Sequence, residues 1–375
     1  MTTPQKTVWP LDPHTAAKHQ LLRHYLERWS MIILESFKTA TYLEGFAGPG
    51  IYEGGEPGSP VIAYEQIALA LTAGKGWSAR VGLIEEDHDR VVSLREQMDT
   101  VPRLHREIKV EYREGRCADK AEDLLTSLGA FGRPIFAFLD SFSGSDVPFS
   151  LVKRIASNQG SEVLVTFGPR FLTQFGTVDI HAAKGDAVFG STEWRQVVNK
   201  PSNEKRRFLV DTYRHKSLPA AGFKHSLAFE MRDERGHSLW LIFGTTHERG
   251  LEKMKEAMWK VDPYQGLRYV DAADPQQIAM DITVEPDTSA LKREILDRVR
   301  SEGPEVSVAR LRDFVLQETI YKPTQVLGMV RELINEKRLV KTSGPQLQNS
   351  STIALAPAGT QPAKPKPKPE QLTAF

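Results

Sequence analysis

The chain has 375 residues and a formal net charge of +1, so it holds enough apolar sequence for one large α/β domain and a small one but carries no global basic field for nucleic acid. Its single cysteine, Cys117, excludes a disulfide framework, a thiolate zinc site and a Cys-ligated cluster within this chain, which fits a reducing, cytoplasmic setting. The N-terminus has no apolar leader-like stretch, and no run approaches the ~20 apolar residues of a membrane span.

Residues 14–38 have helical periodicity. Leu22, Tyr25, Leu26, Trp29, Ile32 and Ile33 form one apolar stripe that must pack on a core. His14, Thr15, Lys18 and His19 cluster at the start of this helix, and the local pattern favours a solvated helix end over a border of a cleft. Strand patterns then alternate with helical ones. The strands fall at 41–46, 80–85, 108–113, 135–140 and 162–167, and the helices at 60–73, 87–99, 119–128 and 148–158. This alternation predicts a doubly wound, Rossmann-like and mostly parallel sheet. Runs 224–231 and 238–245 flank a short polar turn and read as a hairpin that adds an antiparallel strand. An insertion at about 170–222, with a helical pattern at 203–215, is placed to shape the substrate side or to cap the sheet.

Residues 285–356 read as a separate module, leaving 1–284 to the sheet domain. Helical patterns at 288–301, 307–319 (capped by Ser307) and 323–337 (opened by Pro323) precede apolar runs 338–341 and 352–355. Three helices and a hairpin predict a small winged helix-turn-helix. Residues 357–375 alternate Pro and Lys and read as an extended, disordered basic tail.

The most informative stretch is TYLEGFAGPGIYEGGEPGSP at 41–60. A β-prone run ends at Glu44, and the glycine-rich turn Phe46-Ala47-Gly48-Pro49-Gly50 follows. Glycine lets a backbone approach a bound nucleotide closely. The pattern resembles the first motif of S-adenosylmethionine (SAM) methyltransferases, and it lacks the third glycine of the dinucleotide fingerprint. In such a site the acid ending the second strand accepts from both ribose hydroxyls, which points to Glu85. Glu86 alternates to the other side, and Asp87 suits a helix cap. Ser59 and Pro60 read as cap and first turn of the next helix. Cys117 and Asp119 follow the third strand, where the adenine edge sits, Cys117 as a buried lining residue rather than a nucleophile. Asp140 ends the apolar strand Ile135–Leu139, at the strand end where open α/β sheets bind ligands. Methyltransferases of base amino groups carry Asp/Asn-Pro-Pro-aromatic there, and Phe142 occupies the stacking position. Thr246-His247-Glu248 has no second histidine at metal-ligand spacing, so no metal site is expected.

The segments TYLEGFAGPGIYEGGEPGSPVIA, FAFLDSFSGSDVP, EVLVTF and TTHERGLEKMKEAMWKVDP together resemble the three-Cys-motif partner family of SAM-methyltransferase-like proteins, over about residues 10–345. The resemblance implies SAM binding at Gly48, Gly50 and Glu85, and a partner with a three-cysteine motif, of iron–sulfur or radical-SAM-like character. Members of that family read Asp-Pro-Phe-Gly where this chain has Asp140-Ser141-Phe142-Ser143. The stretches Gly48–Tyr52 and Pro57–Pro60 are also similar to ribosomal-RNA adenine-N6 methyltransferases, which implies a nucleobase amine as target. The cofactor-site candidates are therefore Glu44, Phe46, Gly48, Gly50, Glu85, Cys117 and Asp119, and the catalytic candidates Asp140 and Phe142. A non-catalytic binding module on the same fold is the alternative. DNA or RNA binding through the winged helix is weighed against protein docking, because 285–342 holds eleven Lys/Arg against ten Asp/Glu.

Overall fold

The computed structural model describes residues 6–102, 106–141, 146–169, 172–173, 179–232, 238–261, 268–269, 288–344 and 346–357. The chain divides into two compact units, Met1–Pro286 and Asp287–Phe375.

In the first unit, α1 (Pro13–Phe37) starts at Asp12, whose side chain accepts from the Thr15 amide at 3.0 Å, with Pro13 in the first turn. It ends at Lys38, which turns left-handed at φ 60°. Then follow β1 (Thr39–Glu44), α2 (Ser59–Leu71), β2 (Ser78–Glu85), α3 (His88–Thr100), β3 (Ile108–Glu114), α4 (Cys117–Ser127), β4 (Ile135–Leu139), α5 (Phe149–Ala156) and β5 (Glu162–Phe167). After β5 come α6 (Asp179–Phe189), a 3-10 segment (Glu193–Asn199), α7 (Lys205–Thr212), a π turn (Tyr213–Ser217) and α8 (Leu218–Ala221). The unit closes with β6 (His225–Arg232), β7 (Ser238–Thr245), α9 (Glu248–Val261) and the short β8 (Arg268–Tyr269).

The sheet order is β3-β2-β1-β4-β5-β7-β6-β8. Strands β1 to β5 pair in parallel, and β7 runs antiparallel between β5 and β6. The predicted parallel sheet with an antiparallel hairpin strand is therefore the observed one. Strands β4 and β5 are buried at every position because helices cover both faces, which is why they read as unbroken apolar runs. Edge strand β3 is only partly buried. On one face, α1 lays Tyr25 and Trp29 on Phe136, with ring centroids 5.5 and 5.4 Å apart. In the insertion, Tyr213 stacks on Phe167 at 5.2 Å and Phe189 on Trp194 at 5.8 Å. The helix expected at 203–215 stops at Thr212 and widens into the π turn, a change of pitch that apolar periodicity does not announce.

The second unit runs α10 (Ser289–Glu302), β9 (Val306–Ser307), α11 (Val308–Glu318), α12 (Pro323–Asn335), β10 (Leu339–Lys341) and β11 (Thr352–Leu355), with an antiparallel sheet ordered β10-β11-β9. Ser307 caps α11 as expected, accepting from the Arg310 amide at 3.1 Å. The two-residue β9 is too short to carry a sequence signal. The tail beyond 357 lies outside the described residues.

Candidate functional site

Strand order reverses between β1 and β4, with β2 and β3 on one side and β5 on the other. Ligand crevices of open α/β sheets lie at this switch point, outside the carboxyl ends of the strands. The glycine turn leaves β1 there, and Asp140 leaves β4 beside it. The turn is tied to both neighbouring strands: the Gly45 N–H donates to the Phe138 carbonyl at 3.1 Å, and the Ala47 N–H to the Ile84 carbonyl at 2.8 Å. Gly48 and Gly50 take φ of 64° and 79°, which side chains rarely adopt. Gly45 is required for a different reason: a Cβ there would meet Cys117 Sγ at 2.5 Å.

A cleft opens at this point. Its cavity volume is about 70 Å³. Phe46, Gly48 and Gly50 line it from the turn, Asp140 and Ser141 from β4, and Tyr52, Gly58 and Ser59 from the following loop. The N-terminal segment and α1 supply Trp9, Asp12, Thr15, Lys18 and His19. Trp9 lies across the turn: its carbonyl accepts from the Glu53 amide at 3.1 Å, and its ring meets Tyr52 edge-on at 5.9 Å.

Asp140 is held from two sides. Lys18 Nζ donates to Oδ2 at 2.5 Å, and Thr166 Oγ1 donates to Oδ1. Lys18 and His19 are buried, so this helix end is not the solvated one its sequence suggests. Lys18 precedes Leu22 by one turn and Tyr25 by two, and the same stripe carries it inward. Burial, with the Lys18 charge beside it, pushes His19 down to about 4, so its imidazole is neutral at physiological pH.

Glu85 ends β2 with Oε2 accepting the Gly48 amide at 2.8 Å and Oε1 the Asp87 amide at 3.1 Å. Asp87 caps α3 as expected, accepting from the Arg90 amide. Arg90 Nη1 stands 3.8 Å from Glu85, and its guanidinium lies over the Trp9 ring at 5.0 Å. Glu44 is fully buried behind the turn. Ser59 Oγ donates to its Oε1 at 2.5 Å and Tyr42 to its Oε2 at 2.7 Å, and burial pushes the carboxyl up to about 8. Ser59 is therefore not the cap of α2. Gly58 takes that position, and the Ser59 hydroxyl goes to Glu44, a long-range partner that outcompetes the local one. Cys117 packs behind Gly45, with burial pushing its thiol up to about 12, and Asp119 is exposed in the first turn of α4. Neither lines the cleft. Phe142 lies outside the described residues.

Sequence reasoning missed Thr166, Trp9 and Tyr52 as site residues. Thr166 had a usable signal: it is the one hydroxyl in the apolar run of β5, one position beyond the Leu139–Val165 pair.

Strand order, the antiparallel β7 and a cleft at the switch point define a Rossmann-like sheet of the methyltransferase type. No family model and no curated protein matches the sequence. Among solved structures the chain is similar to EvdMO1 (TM-score 0.32, 13% identity, 60% of this chain covered), of whose length it spans only 42%. It is also similar to a DUF574 family protein from Streptomyces avermitilis MA-4680 (TM-score 0.32, 13% identity, covering 60% of this chain and 82% of that one). A third is the delta-N METTL16 MTase domain (TM-score 0.28, 12% identity, covering 60% and 83%). The fold assignment rests on the strand order, not on these scores. No described helix is long and apolar enough to cross a membrane.

Proposed function

We propose that the first unit is a SAM-dependent methyltransferase acting on an exocyclic amine of a nucleic-acid base. One observation carries the reading: a carboxylate at the end of β4, Asp140, lines the same switch-point cleft as the positive-φ glycines that follow β1. The residues fit SAM. Gly48 and Gly50 present bare backbone, Phe46 supplies a wall, and Glu85 sits at the strand end suited to ribose hydroxyls. When bound, SAM supplies the activated methyl group, and the protein's work is positioning. Glu44 acts from behind by fixing Ser59 and hence the loop over the turn. Trp9 has to yield to admit the cofactor, and the Lys6–Glu53 ion pair near it is exposed and weak. Asp140 orients the acceptor amine and takes its proton. Phe142 supplies the stacking ring.

The second reading is a non-catalytic binding module on the same fold. Both oxygens of Asp140 are already engaged, by Lys18 and Thr166, and this favours it. So does Ser141 in place of proline. In either reading we take the second unit as a winged helix-turn-helix, on its order of three helices and a three-stranded sheet, and the working partner as a three-cysteine-motif protein in the cytoplasm. The test is labelling of total nucleic-acid and protein fractions with tritiated SAM, by wild type and Asp140→Asn, with the partner present. Label in nucleic acid that Asp140→Asn abolishes supports the enzyme. SAM binding without transfer to any fraction supports the binding module.

A further inference from the structure

A second cavity lies at the opposite end of the sheet. Glu162 starts β5 and pairs with Phe136 near the start of β4, whereas Asp140 follows the end of β4. The cavity measures about 670 Å³, within the span of small-molecule sites, roughly 300–1,000 Å³. We propose that it binds a small organic anion with an apolar body.

Two features carry this. The wall from α1 is apolar: Trp29, Ile32, Ile33 and Phe37. The rim is cationic: Lys224, Arg249 and Lys253. Lys224 and Arg249 are exposed and have no carboxylate partner among the described residues, while Lys253 pairs with Glu256 at 2.8 Å.

Glu162 is the one acid among the described residues lining the cavity, and it is already occupied. Tyr25 OH donates to its Oε2 at 2.5 Å and Thr245 Oγ1 to its Oε1 at 2.7 Å. It sits at the start of α9, where a Cβ on Gly250 would come within 2.1 Å of it. Burial pushes its carboxyl up to about 7, which limits its repulsion of an anion. The charge free to meet a ligand is therefore positive. None of this depends on methyl transfer, since the residues are distinct from those of the first cleft.

The test uses the full chain and 8-anilinonaphthalene-1-sulfonate, an aromatic anion that fluoresces in apolar sites, titrated with and without SAM. AMP and decanoate serve as competitors, to separate an aromatic phosphate from an aliphatic carboxylate. Saturable binding is expected. It should weaken about tenfold or more in Lys224→Glu/Arg249→Glu, whose exposed positions leave the melting temperature unchanged. Displacement by AMP assigns a phosphate, and displacement by decanoate a carboxylate. The proposal is overturned if SAM competes with the dye, if charge reversal has no effect, if neither competitor displaces it, or if no saturable binding occurs below about 1 mM.

Discussion

Asp140 and Glu44 are both carboxyl groups beside one cleft, and their surroundings give them opposite roles. Asp140 faces a buried ammonium. Asp140→Asn keeps the shape, strands the Lys18 charge and should destabilise by about 1–3 kcal/mol, with transfer falling by about 100-fold or more. Adding Lys18→Met removes the stranded charge. The double variant should recover the melting temperature but not the transfer, whereas recovery of both would make the pair purely structural. Glu44 faces only hydroxyls. Its carboxyl ionises near 4.5 in the unfolded chain and near 8 in the fold. The folded state therefore holds the extra proton between these values, and stability falls as pH rises through that window. Glu44→Gln cannot ionise. Its stability relative to wild type should climb from pH 4.5 to 8, by on the order of 5 kcal/mol at most, in melts across that range. Parallel curves for the two proteins would contradict this. Glu44, Glu85 and Asp140 were legible as strand-end acids. Their division of labour was not, because it depends on Ser59, Lys18 and Thr166, which are 15, 122 and 26 residues away from their partners.

At the scale of elements, the loop between β1 and α2 decides whether the turn keeps its shape. The Gly58 N–H donates to the Gly50 carbonyl at 2.8 Å, and Ile51 bridges Pro57. A Cβ on Gly58 would stand 2.8 to 3.0 Å from the Gly50 backbone, and no rotamer relieves a backbone contact. Gly58→Ala should cost about 1–3 kcal/mol in denaturant unfolding and weaken SAM binding with it. An unchanged unfolding midpoint would show that the loop can shift. Elements with strong periodicity, such as β4, β5 and α1, could be read to within two residues, because burial on one stripe or both faces writes itself into the sequence. The π turn and β9 could not, since one is a change of pitch and the other two residues long. Gln325 lies in the first turn of α12. In the structure its Oε1 accepts from the Lys322 amide at 2.7 Å, which ties it to the helix start.

At the scale of the whole molecule, the chain divides into two compact units, Met1–Pro286 and Asp287–Phe375. Val326, Val330 and Leu333 of α12 are buried within the second unit, while Arg331 and Thr324 are exposed. A chain ending at residue 286 should retain SAM binding and lose salt-sensitive nucleic-acid retention, read on DNA and RNA columns at low and high salt. Equal retention by both chains, or by neither, would assign α12 to protein docking. The central claim is that the cleft over the glycine turn is a SAM site, and calorimetric titration of the full chain with SAM tests it most directly. Gly48→Asp is the control: aspartate tolerates the left-handed φ of 64° better than most residues, and it puts a second carboxylate beside Glu85. The account predicts saturable heat with a dissociation constant below about 1 mM, weakened at least tenfold in Gly48→Asp at a temperature where both proteins are folded. No heat from the wild-type chain, or equal affinity in the two proteins, would contradict it.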